Sequence, residues 1–152
     1  MEAVNIVDSL AKHASKKYGR RSLDRIRSCV VHHSGNTSGS PESFARYHVN
    51  THGWPGIGYH FVIDKDATIY LTQYLDTNSY HTSGNNTAAF GICVIGNYEI
   101  EVPKHKVIQA LVGLINDVRL ILPPFEVRGH LDYVNTDCPG KNLYPLLSKL
   151  FA

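Results

Sequence analysis

Apolar residues recur at helical spacing from Ala3 to Ala14, which predicts an N-terminal helix, followed by a basic, turn-like stretch through Gly19 to Ser22. SCVVHHS, from Ser28 to Ser34, predicts a buried strand. Ser40 and Pro41 supply an N-cap and a first-turn proline for ESFARYHVNTH, so a helix should begin there and stop near Gly53 and Pro55. YHFVID, Thr68 to Leu71, and FGICVIG are rich in β-branched and aromatic residues and predict three further strands, the first two joined by a Lys-Asp turn. Val107, Ile108, Leu111, Leu114, Ile115 and Val118 make one apolar face of a helix from Lys104 to Leu122, ended by Pro123 and Pro124 and expected to pack on the sheet. A short strand around Phe125 to Arg128, a loop, and a final helix from about Leu143 to Phe151 complete the order. Sheet dominates the middle of the chain, and helices flank it in sequence.

The 152 residues fit one domain that can bury a core without disulfide staples. There is no repeat, linker or low-complexity segment. No apolar run reaches transmembrane length, so no stable membrane association is expected. MEAVNIVDSLAKH lacks the charged start and long apolar stretch of a secretory signal. Three cysteines are an odd number in a chain that needs no disulfide framework, so at least one thiol is free. Seven of the fifteen Lys and Arg residues lie between Lys12 and Arg27. That cluster has a single aromatic, Tyr18, and no nucleic-acid motif, so it is read as a solvated surface and not as a nucleic-acid site.

Against this ordinary background Cys138 stands out, in the run RGHLDYVNTDCPG from Arg128 to Gly140. With His130 and one member of the His32-His33 pair it makes two histidines and a thiolate, a set that leaves a zinc ion an open fourth position for water. His130 and Cys138 alone, eight residues apart, are a weak signal. On a strand His32 and His33 point to opposite faces, so only one can enter a given site, and periodicity does not choose between them. Cys29 and Cys93 lie in apolar, strand-like runs and read as buried small thiols.

Taken in order, VVHHSG, GWPGIGYHFVID, HTSGNN, FGICVIGN and GHLDYVNTDCPG resemble the zinc-dependent N-acetylmuramoyl-L-alanine amidases, a family that includes a bacteriophage lysozyme and the peptidoglycan recognition proteins. The resemblance runs from about Cys29 to Leu146. It implies an α/β fold, a central mixed β-sheet flanked by α-helices, with a zinc-centred groove across one face. It assigns the zinc ligands to His32, His130 and Cys138, one ion per chain, and leaves His33 as a packing residue. The family's active-site tyrosine falls on Tyr59 and the position two before the cysteine on Thr136. The histidine of its H-x-x-x-N pattern falls on His81, with Asn85 and Asn86 toward the substrate.

Other positions carry two readings. Thr136 has no useful pKa for proton transfer, so its hydroxyl either hydrogen-bonds water or substrate or caps the loop. Trp54 either walls the substrate groove or anchors its Gly-Pro-rich loop to the core. His48 and His52 are expected at the surface or groove, and His60, next to Tyr59, on the opposite layer. Some relatives carry a glutamate where this chain has Cys93, and an arginine where Leu131 follows His130. Asp132 remains a candidate acceptor for a zinc-bound histidine.

The resemblance therefore implies a monomeric, single-domain peptidoglycan hydrolase over residues 1–152, an N-terminal helix and basic segment (1–27) preceding the amidase core (28–152). It cleaves the amide between N-acetylmuramic acid and the L-alanine of the stem peptide. A non-catalytic peptidoglycan-binding protein is the rival, although such relatives typically lose the thiolate. A phage or prophage lysin reaching the wall after release is the expected setting, ahead of a cytoplasmic recycling enzyme.

Overall fold

A computed structural model describes residues 2–151. The strands are β1 (Val4–Asn5), β2 (Gly19–Arg20), β3 (Ser28–His33), β4 (Phe61–Ile63), β5 (Ile69–Leu71), β6 (Thr77–Asn78), β7 (Ala89–Val94) and β8 (Glu126–Gly129); the α-helices are α1 (Pro41–Asn50), α2 (His105–Arg119) and α3 (Tyr144–Phe151). Six strands form one sheet in the order β1-β5-β4-β7-β3-β8, and β2 pairs with β6 as a separate two-stranded ribbon. Strands β4, β7, β3 and β8 run parallel, while β5 is antiparallel to β4, so the sheet is mixed as the resemblance implies.

Alternation along the central strands divides their side chains between two layers. Cys29 and Val31 of β3, Phe61 and Ile63 of β4, and Phe90, Ile92 and Val94 of β7 join the larger core, to which α2 adds Val107, Leu111, Leu114, Ile115 and Val118 and α3 adds Leu147. Val62 and Cys93 face the other layer with Ala45 of α1, Leu10 and Ile57. Helix α1 starts where Ser40 and Pro41 predict: the Ser40 hydroxyl accepts from the Ser43 amide at 3.1 Å while the Ser43 hydroxyl accepts from the Ser40 amide at 3.0 Å.

The predicted helix over Ala3 to Ala14 does not form. Val4 and Asn5 instead pair in parallel with Tyr70 and Leu71 at the sheet edge, and a single 3-10 turn follows at Val7–Ser9. Asn5 explains the break, because its side-chain oxygen accepts from the Val7 amide at 3.1 Å and turns the chain. Val7 and Leu10 still become buried, so the apolar periodicity reports burial correctly and the element type wrongly. Edge pairing satisfies backbone groups that an isolated short helix would leave to its own marginal stability.

His60 also departs from expectation. Tyr59 and His60 precede β4, so strict alternation does not govern them, and both turn toward the α1 layer, where their rings lie 5.3 Å from His32 and 5.6 Å from His81 respectively. His60 Nδ1 accepts from the Gly91 amide at 3.1 Å. Beside it the buried Arg21 guanidinium donates to the carbonyls of Leu75, Asn86, Thr87 and Ala89 at 2.6 to 3.0 Å. These bonds pin the 75–89 loop to the sheet, and burial lowers the arginine pKa to about 10.

Neutral histidines in this layer tie stability to pH. Burial, with His52 nearby, lowers the His48 pKa to about 4; burial and the charges of His81 and Arg21 hold His60 well below 6.5. Below about pH 6.5 the unfolded chain therefore binds protons that the folded chain refuses, and stability is lost as the pH falls toward 4. Urea denaturation in the presence of a chelator should give midpoints that drop between pH 7 and pH 5, by up to about 1.4 kcal/mol per pH unit for each such histidine. A flat profile over that range would show that these rings are not held neutral.

Candidate metal centre and groove

Strands β3 and β8 deliver two histidines to one point. Val31 stands opposite Gly129 in the parallel register, so the residue after each brings His32 level with His130, and their ring centroids lie 4.4 Å apart. The third donor comes from the loop after β8. Leu131 donates its amide to the Cys138 carbonyl at 2.9 Å, the Thr136 hydroxyl accepts from the Cys138 amide at 3.3 Å, and the His33 amide donates to the Cys138 sulfur at 3.3 Å. His32, His130 and Cys138 thereby place one donor atom each within 4.8 Å of one another. Among the described residues this is the single His/Cys/Asp/Glu cluster with metal-binding geometry.

The histidine choice left open by periodicity is made by the pleat. His32 turns into the α1 layer and is 2 % exposed, whereas His33 turns away and its Nδ1 accepts from the Tyr98 amide at 3.0 Å. His32 presents Nδ1 to the Cys138 sulfur at 3.8 Å and Nε2 to His81 Nδ1 at 3.1 Å. His81 Nε2 lies 3.3 Å from the Ala89 carbonyl. Because a carbonyl only accepts, that contact places the His81 proton on Nε2 and leaves its Nδ1 as an acceptor that the Thr82 hydroxyl at 2.9 Å and His32 Nε2 at 3.1 Å share; with the His32 proton on Nε2, the lone pair of its Nδ1 faces Cys138 and His130. Burial lowers the His81 pKa to about 3 and that of His32 well below 6.5, which keeps both rings neutral, the state a metal ligand requires. Gly91 makes room for this stack, since a Cβ there would meet the His81 ring at 2.8 Å.

The donor set fits zinc: a soft sulfur and two imidazoles, partly buried, with a groove on the open side. Burial pushes the metal-free Cys138 thiol up to about 12, against the lowering effect of the His33 amide, so binding a cation must displace its proton. The groove, of about 330 Å³, is walled by Tyr47, His48, His52, Trp54 and Tyr80 and reaches His32, His130, Cys138, Tyr59 and His81. Trp54 stacks on His52 at 4.8 Å and packs against His48 at 4.7 Å, so it both lines the groove and anchors its loop. Tyr59 meets the groove near His32, and burial, with the Cys93 and Cys138 thiols nearby, holds its pKa well above 10.

Other expected residues sit differently. The Asn86 side-chain oxygen accepts from the amides of His81 and Thr82 at 2.9 and 2.7 Å, shaping the loop that carries His81. Asn85 is half-buried, and its amide donates to the Ser83 carbonyl at 3.4 Å. Thr136 borders a neighbouring depression and holds the Cys138 loop. Asp132 does not reach His130; it accepts from the Gly129 amide at 2.9 Å and the Tyr144 hydroxyl at 2.5 Å. Tyr47 and Tyr80, both exposed on the groove wall, carry no motif signal, although the helix expected from Ser40 and Pro41 together with His48 could have marked Tyr47.

The N-acetylmuramoyl-L-alanine amidase family model matches residues 22–141. Human N-acetylmuramoyl-L-alanine amidase is 36% identical over 109 residues, covering 69% of this chain and 19% of the human protein, so the chain spans about a fifth of that relative's length. Peptidoglycan recognition protein 1 of Bos taurus is 32% identical over 147 residues, covering 89% of this chain and 77% of the bovine one. The solved structure of the amidase LysC from Clostridium intestinale superposes with a TM-score of 0.81 at 28% identity, covering 96% of this chain and 93% of that one. Sequence family, bovine relative and clostridial fold agree with the geometry of the groove, and the chain belongs to the N-acetylmuramoyl-L-alanine amidase family.

Proposed function

We propose that this protein is a zinc-dependent hydrolase of the amide joining N-acetylmuramic acid to the L-alanine of the peptidoglycan stem peptide. The observation that carries the reading is the convergence of His32, His130 and Cys138 donors within 4.8 Å at the wall of a groove that Tyr59 also enters. When bound there, zinc polarises the scissile carbonyl and lowers the pKa of a water toward about 7. The chain's own residues supply orientation and charge stabilisation. His81 fixes the tautomer of His32, the Thr136 hydroxyl and His33 amide hold the Cys138 loop, and the aromatic wall shields the peptide from solvent. Tyr59 stays protonated at neutral pH, so it serves as a hydrogen-bond donor to the oxyanion that develops on the carbonyl and not as a base.

The complete donor set favours this enzyme over a wall-binding protein without activity. One chain contains the whole groove, which supports action as a monomer. The wall is the site of action we infer, reached by a phage or prophage lysin after release. Cys93, where relatives can carry glutamate, is a fully buried free thiol outside the His32, His130 and Cys138 donor set.

Two substitutions test the ligand set and its support. Cys138→Ala should lose stoichiometric zinc and release stem peptide from purified wall more than about a hundredfold more slowly, whereas Cys93→Ser, outside the donor set, should stay within a few-fold of the parent. Full release by the Cys138 variant would refute the ligand assignment. His81→Ala should weaken zinc about 10- to 100-fold in chelator competition, and His81→Asn, which restores an acceptor beside His32 Nε2, should recover most of it. Equal zinc affinity in His81→Ala would show that the His32 tautomer needs no such partner.

A further inference from the structure

The lysines of the N-terminal segment are not spread over a solvated helix face. The helix expected over residues 3–14 does not form, and Lys12, His13, Lys16, Lys17 and Tyr18 instead line a recess of about 300 Å³ with Pro55. Three bonds fasten this segment to the loop before β4. The His13 amide donates to the Pro55 carbonyl at 2.9 Å, the Lys16 ammonium to the Gly53 carbonyl at 2.8 Å and the Tyr18 hydroxyl to the Gly56 carbonyl at 2.7 Å. The same loop presents Trp54 to the histidine-lined groove and Pro55 to the recess, and Tyr18 meets Tyr80 of the groove wall edge-on at 4.8 Å. The loop and the tyrosine pair are therefore a wall common to both.

Uncompensated positive charge sets this recess apart. No carboxylate lines it, and none of its three lysines makes an ion pair among the described residues. Arg20, Lys65 and Arg128, by contrast, each have a carboxylate partner, at 2.7, 2.5 and 2.7 Å. The Lys12 ammonium donates to the Val7 carbonyl at 2.5 Å and that of Lys16 to Gly53, while Lys17 makes no hydrogen bond among the described residues. A carbonyl orients an ammonium without cancelling its charge, and each ammonium keeps donors for a ligand. His13 Nδ1 accepts from the Ser15 and Lys16 amides at 3.1 and 3.0 Å, so the neutral ring carries its proton on Nε2 and is a donor as well. Donors without an acid among them match the oxygens of a phosphate group.

The surroundings choose among phosphate-bearing macromolecules. Single-stranded nucleic acid needs aromatic faces for its bases, and Tyr18, the one aromatic of the recess, is already engaged through its ring by Tyr80 and through its hydroxyl by Gly56. A lipid surface needs an amphipathic helix, and residues 12–27 form only a single 3-10 turn, Leu23–Arg25. A polyol-phosphate chain needs neither. With the amidase reading above pointing to the wall, we propose that the recess formed by Lys12, His13, Lys16 and Lys17 binds the phosphodiester groups of a polyol-phosphate polymer carried by the wall. Bound there, the polymer holds the enzyme on the wall and raises the local concentration of substrate beside the histidine-lined groove.

Binding is measured without turnover, so the two readings fail separately. The isotope-labelled full chain is titrated with poly(glycerol phosphate), inorganic phosphate, single-stranded DNA of matched charge, and phosphatidylglycerol–phosphatidylcholine vesicles. Poly(glycerol phosphate) should move the amides of His13, Lys16 and Lys17 and lose about tenfold in affinity between about 50 and 200 mM salt, as three contacts to phosphate imply. Lys12→Gln combined with Lys17→Gln should weaken the polymer about fivefold or more, and Lys17→Gln alone, which has no bond within the chain to lose, about twofold. Lys106→Gln combined with Lys149→Gln removes the same charge from α2 and α3 and should bind as the parent does. The parent should release stem peptide faster from polymer-bearing wall than from stripped wall, and the Lys12 and Lys17 variant should lose that difference while matching the parent on stripped wall. No amide shifts with the polymer, parent-like binding by both Lys17 variants, equal loss in the α2 and α3 variant, or binding of phosphate, DNA or vesicles as tight as that of the polymer would overturn the proposal. Polymer shifts as expected with no stem peptide released from either wall would instead overturn the amidase reading and leave the phosphate site standing.

Discussion

The parallel pairing of β3 with both β7 and β8 is the constraint on which the site depends. It sets His32 opposite Cys93 on one side and brings it level with His130 on the other. A slip of one residue in β3 would turn His32 into the α2 layer and deliver His33 in its place, because alternate side chains leave a strand on opposite faces. The register is held by the apolar set on the far side: Cys29 and Val31 would have to leave the core they share with Phe90, Ile92 and Val94 of β7 beneath α2. The placement of the three donors is in this way secured by hydrophobic burial on the opposite face of the sheet.

The α1 layer carries the opposite character. His32, His48, His60 and His81 are all buried there, together with the Arg21 guanidinium. Each buried polar group must find a partner, and here the partners are chiefly backbone: the Gly58 amide for His48, the Gly91 amide for His60, the Ala89 carbonyl for His81, and a run of loop carbonyls for Arg21. The network removes freedom from the 75–89 loop and leaves the imidazoles neutral. A scaffold that keeps His32 and His81 uncharged is ready for a cation and correspondingly intolerant of acid.

Sequence reading recovered the central strands, α1, α2 and α3 because each carries a strong period or cap, as with the Ser40-Pro41 start of α1. It failed at Val4–Asn5, where burial periodicity mimics a helix and only the free edge of β5 decides the outcome, and at the two-residue β2 and β6, which are too short for a period. The three candidate metal donors were legible as a resemblance, which chose His32 over His33 where periodicity could not; the pleat turns His32 into the α1 layer beside His130 and Cys138. Roles that depend on nonlocal contacts were not legible. Nothing in HTSGNN says that His81 backs His32, that Asn86 shapes the loop, or that Gly91, ten residues later, makes space for the ring. His60 was misplaced because alternation was extended past the start of β4.

The central claim is that one zinc ion is held by His32 Nδ1, His130 and Cys138 Sγ, with His32 Nε2 engaged by His81. Anomalous diffraction at the zinc edge from crystals of the metal-loaded protein tests it most directly. The account predicts one peak per chain, about 2.0 to 2.1 Å from the two imidazole nitrogens and about 2.3 Å from the sulfur. A peak held by His33, or one away from Cys138, would contradict it.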